Sequence, residues 1–556
     1  MKKVQAESPC HKDIKVLLII FIFSVIINLP FLSQSFHIDD PLNIYLARQV
    51  IKSPADPYGF QLVYNGVLQG FYKFYANPPL NGYLLSLGML LVGEHEVPLH
   101  LFYLIYTFFI GIFMYLISQK FLNDPKASVI SSVLLLISPA VFVMNHSIMP
   151  DIPLLCFYLA SIYFFLEAKD RTYLYIAAGI FAALASLTRY TGLTLIPIFL
   201  VYSFLCPKYR GPMSLVSSII PLIIFYFWYE SSIVLYTDHY WNQMYAFETG
   251  QDKFVRIGMH LLANVVYLGG SSIFPICFFV PALMLRNKDS KLRIIGRSAV
   301  IALFFSSLLF MKFGHDLGQA GLVFVFIFSM MTFFSTVLIY IKDWFNSRSQ
   351  NVVLFFWVLI LLVFNSFFLH TAVKYIMLTI PPLILIFVII VKDLLKEKYP
   401  SFLILTIVLT GLLGAGIAIA DTKFSNIYRD YAKSLYSTYK KKDNQVFFSG
   451  HWGWEYYLKE LNAEPVVSLD LNQFKKGDII LVPSIPWPQR LPLTYKNRLK
   501  LLNTIPVNSS FPIRIMNGIS KAFFYANYNY PEFKGVLPYS FSSTTPLELF
   551  YVLEVK

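Results

Sequence analysis

Charged residues are scarce in this sequence. Only 14% of its 556 residues are Asp, Glu, Lys or Arg, whereas 56% are hydrophobic, and the mean hydropathy is +0.59. A soluble domain of ordinary composition carries about 25% charged residues. The composition therefore excludes an ordinary soluble globular protein.

Cysteine is also scarce, and its spacing excludes two kinds of site. The four cysteines are Cys10, Cys156, Cys206 and Cys277, and no Cys-x-x-Cys or Cys/His zinc spacing occurs. Neither a disulfide framework nor a structural zinc site is supported. The sequence also lacks a Walker motif, a Gly-rich dinucleotide loop, HExxH and GxSxG. Nucleotide hydrolysis, zinc proteolysis and serine hydrolysis therefore have no support.

What the sequence has instead is a long series of apolar runs. Runs of about 20 residues are typical of transmembrane helices, and they predict a polytopic all-α membrane protein with about 13 transmembrane helices. The predicted spans lie near 16–32, 98–118, 127–144, 152–168, 173–188, 191–206, 213–230, 258–285, 298–312, 320–341, 351–371, 375–391 and 401–420.

The basic residues predict the orientation of these spans in the cell membrane. Lys2, Lys3, Lys12 and Lys15 precede the first apolar run, and no small-x-small cleavage site follows it. By the positive-inside rule the N-terminus is cytoplasmic, and we interpret the first run as a retained signal anchor. The net charge of +14 reflects topology and attraction to lipid headgroups, and no feature suggests a nucleic-acid partner.

The chain divides into two predicted domains. Residues 1–420 form the transmembrane domain, in which 36–97 is a first extracytoplasmic loop with short helices at 41–51 and 79–92. The second of these helices either lies in the interface or spans. An odd number of spans puts the polar residues 421–556 outside as well. Their short alternating runs and a helix at 428–439 predict a small C-terminal α/β domain.

Three carboxylates at the predicted outer membrane boundary are candidates for catalysis. Asp39 and Asp40 follow the first span, and Asp151 begins a later one after a polar break. One interpretation is that they cap helices, because Asp is a favoured N-cap residue. The other is that they orient or deprotonate an acceptor, because glycosyl transfer needs an anion beside the attacking hydroxyl or amine.

Two cations and a histidine occupy similar boundaries. Arg189 lies where an apolar run is too long for one span, and Lys374 stands at an outer boundary, against the positive-inside bias. Arg189 either snorkels to headgroups or contacts a phosphate, which a guanidinium binds with two hydrogen bonds. His146 is a candidate for substrate binding, although a histidine in an interfacial loop is more often simply polar.

Several motifs, in their order and spacing, resemble those of one group of membrane enzymes. They are an acidic pair followed by a short helix, Pro-Pro-Leu, Met-Pro-Asp-Ile-Pro-Leu, Leu-Thr-Arg, and Lys-Tyr followed by Pro-Pro. These motifs occupy residues 39–48, 77–80, 149–154, 177–189 and 374–382. In this respect the chain resembles the GT-C fold glycosyltransferases, in particular the protein O-mannosyltransferase and lipid A aminoarabinose transferase group.

The resemblance implies an inverting transferase that uses a sugar on a polyprenyl-phosphate carrier outside the cytoplasm. It implies that Asp39 is the catalytic residue and that Asp40 and Asp151 help to place donor or acceptor. Two basic positions of the family are occupied here by Leu42 and Asn77. The carrier phosphate would then be bound by Arg189, Lys374 or Lys73. Asn77, His146 and Tyr375 are the substrate-binding candidates.

The sequence leaves alternatives open. The same charges would suit a transporter or flippase of a lipid-linked saccharide, although no internal repeat is found, and a structural partner in an envelope complex is a third possibility. The acceptor is a lipid, a glycan or a protein. No cofactor and no metal are predicted, but adjacent aspartates can hold a divalent ion. The aromatic segment 451–457 either stacks on sugar or forms the core of the C-terminal domain.

Overall fold

A computed structural model describes residues 9–236, 251–272, 314–368, 371–468, 470, 472–488, 497–526 and 536–556. The predicted span near 298–312 and the part of the span near 258–285 beyond residue 272 lie outside these residues. The described chain is mostly helical, as predicted. The first helices are α1 (Pro9–Asn28), α2 (Asp40–Lys52), α3 (Leu80–Val92), α4 (Glu96–Leu122), α5 (Pro125–Ile137), α6 (Pro139–Met144), α7 (Asp151–Glu167) and α8 (Leu174–Thr188).

The later helices complete the described bundle. They are α9 (Leu195–Leu205), α10 (Pro212–Leu235), α11 (Gln251–Gly270), α12 (Gly314–Ser347), α13 (Ser349–Ser366), α14 (Ile380–Leu395), α15 (Tyr399–Tyr439) and α16 (Trp452–Glu460). Short 3-10 helices connect some of them, at Leu29–Phe31, Phe71–Lys73, Tyr190–Thr194, Pro207–Tyr209, Val373–Thr379 and Lys396–Lys398.

Six stretches of the described chain are long and apolar enough to cross a membrane. They are Ile14–Phe31, Glu96–Leu122, Pro212–Leu235, Gln319–Ser347, Ser349–Ser366 and Val373–Tyr439. Five further helices in the described part are apolar but shorter. These lengths indicate a multi-pass membrane protein, but they do not confirm the predicted count of 13 spans.

The bundle is organised around α14. Every residue from Ile380 to Val391 is buried, because this helix is apolar on all sides and is surrounded by other helices. The helices α1 and α10 are different. Only 22% of the residues in the most apolar part of α1, and 17% of those in the most apolar part of α10, are buried inside the protein. Their outward apolar side chains are the ones expected to face lipid.

Two predicted helix boundaries were wrong. The span predicted near 127–144 is broken into α5 and α6. The break lies at Ser138, whose backbone is extended before Pro139, because the proline ring disfavours helical backbone angles at the residue before it. The span near 401–420 and the helix at 428–439 are one continuous helix, α15. The change in composition at residue 421 marks a change of polarity within this helix, and the division into two domains stays a prediction.

The chain after α15 contains a mixed sheet. Its strands, in spatial order, are β4 (Glu464–Pro465), β3 (Val446–Phe448), β5 (Ile479–Pro483), β11 (Glu548–Val555) and β6 (Leu499–Val507). Strand β3 runs parallel to β4 and β5, and β11 runs antiparallel to β5 and β6. Short pairs flank it: β7 (Ile513–Arg514) with β10 (Ser540–Phe541), and β8 (Met516–Asn517) with β9 (Ala522–Phe523). Far earlier in the chain, β1 (Gln61–Tyr64) and β2 (Val67–Gly70) form a hairpin.

The helix α16 connects this C-terminal part to the segment that follows α1. A Cβ atom on Gly453 would lie 2.2 Å from the carbonyl oxygen of Phe36, so only glycine allows this approach. The Tyr457 hydroxyl also accepts a hydrogen bond from the Phe36 backbone N–H at 2.9 Å. The residues just before Asp39 are therefore held between the helical bundle and the C-terminal part.

Candidate active site

A cavity of about 430 Å³ lies where these parts meet. Its volume is within the range of small-molecule sites, about 300–1,000 Å³. Seven of the nine site residues predicted from the sequence line it: Asp39, Lys73, Asn77, Asp151, Arg189, Lys374 and Tyr375. Asp40 and His146 do not. The fold therefore brings together residues from five separate segments of the chain.

Asp39 lies at the start of α2 but does not cap it with its side chain. Its carboxylate instead accepts a hydrogen bond from Lys374 Nζ at 2.7 Å. The Asp39 side chain is 41% exposed, whereas that of Lys374 is 7% exposed. Because Ile38 has a φ of +51°, which is an outlier for a β-branched residue, the backbone that aims Asp39 is strained. Such strain is typical of functional sites.

A second ion pair joins the ends of two helices. Asp151 is the first residue of α7, Arg189 follows the last residue of α8, and Arg189 Nη1 donates to Asp151 Oδ1. Both side chains are buried, and the Arg189 guanidinium lies 4.2 Å from the ring centroid of Tyr375. Asp151 Oδ2 and Arg189 Nε have no hydrogen-bond partner among the described residues. This pair therefore retains capacity to bind a polar ligand.

Lys73 and Asn77 come from the loop between β2 and α3. Lys73 ends the 3-10 helix Phe71–Lys73, and the backbone carbonyl of Asn77 accepts a hydrogen bond from the Tyr58 hydroxyl at 2.8 Å. Together with Lys374 and Arg189, Lys73 gives the cavity three basic side chains. Clustered cations are suited to a phosphate group.

Asp40 and His146 are buried beside the cavity and not in its lining. Asp40 accepts hydrogen bonds from the His37 backbone N–H, the Ser147 hydroxyl and the Ile148 backbone N–H at 3.1, 2.9 and 3.0 Å. It thereby ties α2 to the loop before Asp151. The imidazole of His146 stacks on Phe31 at 4.3 Å, and its nitrogens have no hydrogen-bond partner among the described residues. Its position fits packing better than substrate contact.

Sequence reasoning missed a buried polar cluster directly behind Asp39. His37 Nε2 lies 3.2 Å from Asp421 Oδ1 and 3.0 Å from the Tyr525 hydroxyl, and the side chain of Gln34 donates to Asp421 at 2.9 Å. Burial alone would lower the pKa of His37, but Asp421 and Asp40 together raise it from 6.5 to about 10. The imidazolium therefore holds the segment before Asp39 between two carboxylates. Adjacency to Asp39 was the available clue for His37, whereas Asp421 is far away in the sequence.

The rest of the cavity wall is rich in aromatic side chains. It includes Tyr64, Phe74, Tyr75, Tyr190, Phe368, Trp452, Trp487 and Tyr525. Trp452 belongs to the aromatic segment 451–457, whose Trp454 is fully buried and stacks on Phe550 at 4.7 Å. One tryptophan of that segment is thus part of the core, and the other faces the cavity. The described residues contain no group of three or more His, Cys, Asp or Glu side chains arranged to hold a metal ion; the absence of a metal stays a prediction.

Comparison with known proteins supports the resemblance seen in the sequence. Residues 76–229 match the family described as dolichyl-phosphate-mannose-protein mannosyltransferase. This segment contains Asn77, Asp151 and Arg189, and over it the predicted resemblance to protein mannosyltransferases is confirmed. A protein of Aquifex aeolicus (strain VF5), described as uncharacterized, is 23% identical over 228 residues, which are 40% of this chain and 41% of the relative. The chain thus spans about two fifths of that relative's length.

Solved structures show more distant similarity. ArnT from Cupriavidus metallidurans, bound to undecaprenyl phosphate, matches with a TM-score of 0.45 and 13% identity over 89% of this chain and 97% of ArnT. The oligosaccharyltransferase of Archaeoglobus fulgidus, tethered to an acceptor peptide, matches with a TM-score of 0.40 and 14% identity, over 82% of this chain and 63% of that protein.

Proposed function

We propose that the protein is a membrane glycosyltransferase that moves a sugar from a polyprenyl-phosphate carrier to an acceptor on the extracytoplasmic side. The observation that carries this proposal is the placement of an exposed carboxylate, Asp39, in one cavity with Lys374, Arg189 and Asp151. A carboxylate can serve as the base for the acceptor, and the cations can stabilise a phosphate leaving group. The match of residues 76–229 to the mannosyltransferase family supports the same chemistry.

The proposed step is a single displacement with inversion. The bond between the anomeric carbon and the phosphate oxygen breaks, while the acceptor oxygen or nitrogen bonds to that carbon from the opposite face. Asp39 takes the proton that the acceptor loses. The phosphate stays on the lipid carrier, where Lys374 and Arg189 stabilise its charge. Lys374, which donates to Asp39 at 2.7 Å, is in this proposal the cation that contacts both the base and the departing phosphate.

The charge distribution supports an extracytoplasmic cavity. Lys120 at the end of α4 pairs with Glu167 at the end of α7, and Lys392 near the end of α14 donates to Asp124 at 2.7 Å. These basic helix ends meet at the opposite end of α7 from Asp151. Since basic residues favour the cytoplasmic face, this distribution supports a cavity on the other face of the membrane.

The decisive experiment is Asp39→Asn in the full-length protein. We expect turnover with a polyprenyl-phosphate sugar donor to fall by about 100- to 10,000-fold, the usual contribution of a general base. In cells that lack the protein, mass spectrometry of the envelope glycans should show the product after complementation with the wild type and not with this variant.

Asp430→Asn is the matched control, because Asp430 is an aspartate on α15 whose side chain is 64% exposed. It should keep wild-type turnover. If Asp39→Asn transfers sugar at the wild-type rate, Asp39 is not the base. If the envelope glycans are the same with and without the wild-type protein, and no donor is consumed, the proposed function is wrong.

A further inference from the structure

Unusual backbone conformations are concentrated around the cavity. Eight described residues other than glycine have a positive φ, and four of them, Ile38, Asn65, Trp452 and Trp487, line the cavity. Asparagine tolerates this conformation, but isoleucine and tryptophan do so only at a conformational cost. Trp452 has a φ of 64° and Trp487 a φ of 49°. Strain of this kind persists where the surrounding structure enforces it, most often at binding sites.

The two tryptophans are held by one shared contact. The residues that precede them are joined by a hydrogen bond from the His451 N–H to the Pro486 carbonyl at 2.7 Å. Gly450 beside it has a φ of 101°, and a Cβ atom there would lie 2.8 Å from Pro483. The loops that carry Trp452 and Trp487 are therefore fixed against each other.

The hairpin β1–β2 contacts the loop that carries Trp452. The Tyr64 ring stacks on the His451 imidazole at 4.6 Å, and the Asn65 N–H donates to His451 Nε2 at 3.3 Å. The turn of the hairpin also contacts the C-terminal part, because the Ser468 N–H donates to the Gly66 carbonyl at 2.8 Å. Asn65 and Gln69 of the hairpin line the cavity with the tryptophans.

These residue types indicate the class of ligand. Indole rings offer flat apolar faces, which suit the C–H face of a sugar ring, and their edges remain polar. Asn and Gln amides can both donate to and accept from hydroxyl groups. The basic side chains that line the cavity are those of other residues, Lys73, Arg189 and Lys374. This combination of flat apolar faces and neutral amides suits a neutral ring rich in hydroxyl groups.

We propose that Trp452 and Trp487, with Asn65 and Gln69, form a subsite for a pyranose ring of the acceptor. The proposal rests on the proposed glycosyltransferase function and specifies that the acceptor is a carbohydrate. The donor phosphate is attached to a lipid, which keeps it near the helix ends that carry Arg189 and Lys374. The acceptor then binds at the side of the cavity that Trp452 and Trp487 of the polar C-terminal part line.

The test is binding of simple sugars to the full-length protein in nanodiscs without any donor. The probes are the methyl glycosides of glucose, mannose and N-acetylglucosamine, observed by saturation-transfer difference NMR. At least one should receive saturation at its ring protons. Trp452→Ala and Trp487→Ala should each weaken its binding about tenfold, equivalent to losing about 1.4 kcal/mol of stacking. Trp452→Phe should retain most of the binding.

Two further variants separate binding from folding. Asn65→Gly changes an exposed residue whose φ of 54° suits glycine, so it should weaken binding without loss of stability. Phe541→Ala removes an aromatic residue that is 43% exposed on β10 and is not in the cavity lining, so binding should not change. If no glycoside binds the wild type, or if the tryptophan and Asn65 variants bind as the wild type does, the subsite is refuted.

The same preparations distinguish the subsite from the proposed function. Asp39→Asn should lose transfer, whereas the glycoside binding that this variant retains should still depend on Trp452 and Trp487. Sugar binding that depends on the tryptophans, in a protein that consumes no donor, would support the subsite and refute the transferase. Transfer that depends on Asp39, with sugar binding unaffected by the tryptophan variants, would support the transferase and refute the subsite.

Discussion

Asp39 and Asp40 are adjacent in the sequence but lie in opposite environments. The Asp39 side chain is 41% exposed in the cavity, whereas Asp40 is fully buried and accepts three hydrogen bonds from the surrounding backbone and Ser147. The strained Ile38 separates them from His37. A group that contacts substrate must remain accessible, and a group that fixes the loop must not. We therefore propose that Asp39 contacts substrate and that Asp40 positions the loop.

Asp40→Asn should destabilise the protein more than Asp39→Asn does. The amide cannot accept all three hydrogen bonds with its former geometry, and it leaves the His37 imidazolium beside a neutral group. The loss of a buried hydrogen-bonded charge costs about 3 kcal/mol. Thermal unfolding in detergent should show a lower Tm for Asp40→Asn and a smaller change for Asp39→Asn. Equal Tm values for the two variants would contradict a positioning role for Asp40.

The charged residues that line the cavity could be predicted from the sequence better than its aromatic residues could. Asp39, Asp151, Arg189 and Lys374 could be found because a charge at the end of an apolar run is conspicuous in a membrane protein. Trp452 could not be assigned, because one tryptophan of the segment 451–457 is in the core and the other is in the cavity. Their difference depends on a backbone torsion and on contacts far away in the sequence.

At the level of elements, helix ends supply much of the site, and a turn fixes one of them. After α8 the chain reverses through the 3-10 helix Tyr190–Thr194, where Gly192 packs against the last turns of α8. A Cβ atom on Gly192 would lie 2.4 Å from backbone atoms of Ala185 and Ser186. Because backbone cannot move aside as a flexible side chain can, this close approach requires glycine and thereby sets the position of Arg189.

Gly192→Ala should therefore displace the 3-10 helix and lower both stability and transfer. Forcing a methyl group into a packed site costs about 1–3 kcal/mol. Gly258→Ala is the control, because Gly258 lies in α11 with nothing within 4 Å of its Cβ position, and alanine stabilises a helix interior by about 0.5–1 kcal/mol relative to glycine. Tm and sugar transfer should fall in the first variant only. A Gly192→Ala protein as stable and active as Gly258→Ala would exclude this role.

Prediction of elements was accurate where proline marks a helix start. The helices predicted at 41–51 and 79–92 correspond to Asp40–Lys52 and Leu80–Val92, since proline is favoured in the first turn. Prediction was wrong where a boundary depends on packing. Composition shows where a helix leaves an apolar environment, as at residue 421, but not whether the helix ends there.

At the level of the whole molecule, α15 connects the bundle to the C-terminal sheet. It carries Asp421 behind the site and Tyr428 further along. The Tyr428 hydroxyl donates to Glu548 Oε2 at 2.8 Å, and the Ser484 N–H donates to Glu548 Oε1 at 2.7 Å. Glu548 is the first residue of β11, the strand between β5 and β6. The buried carboxyl group of Glu548 therefore links the long helix to the C-terminal sheet, beside the ring contact of Tyr431 with Phe550.

This connection should depend on pH. Burial raises the pKa of Glu548 from 4.5 to about 7, against the smaller opposing effect of its hydrogen bonds from Ser484, Tyr428 and Leu549. A raised pKa means that the folded state binds the proton more tightly than the unfolded state. The resulting stability is complete below pH 4.5 and is lost as the pH rises through about 7. The free energy of unfolding should fall by about 3 kcal/mol across this interval.

Glu548→Gln should remove this dependence, because the amide stays neutral at every pH in the interval and its carbonyl oxygen can still accept from Ser484. Thermal unfolding of the wild type and the variant, compared between pH 4.5 and 7, isolates the contribution of the one carboxyl group. Glu464→Gln changes an exposed glutamate on β4 and should retain the wild-type dependence. If Glu548→Gln loses as much stability with rising pH as the wild type does, the carboxyl group at this joint does not control the attachment of the sheet to the bundle.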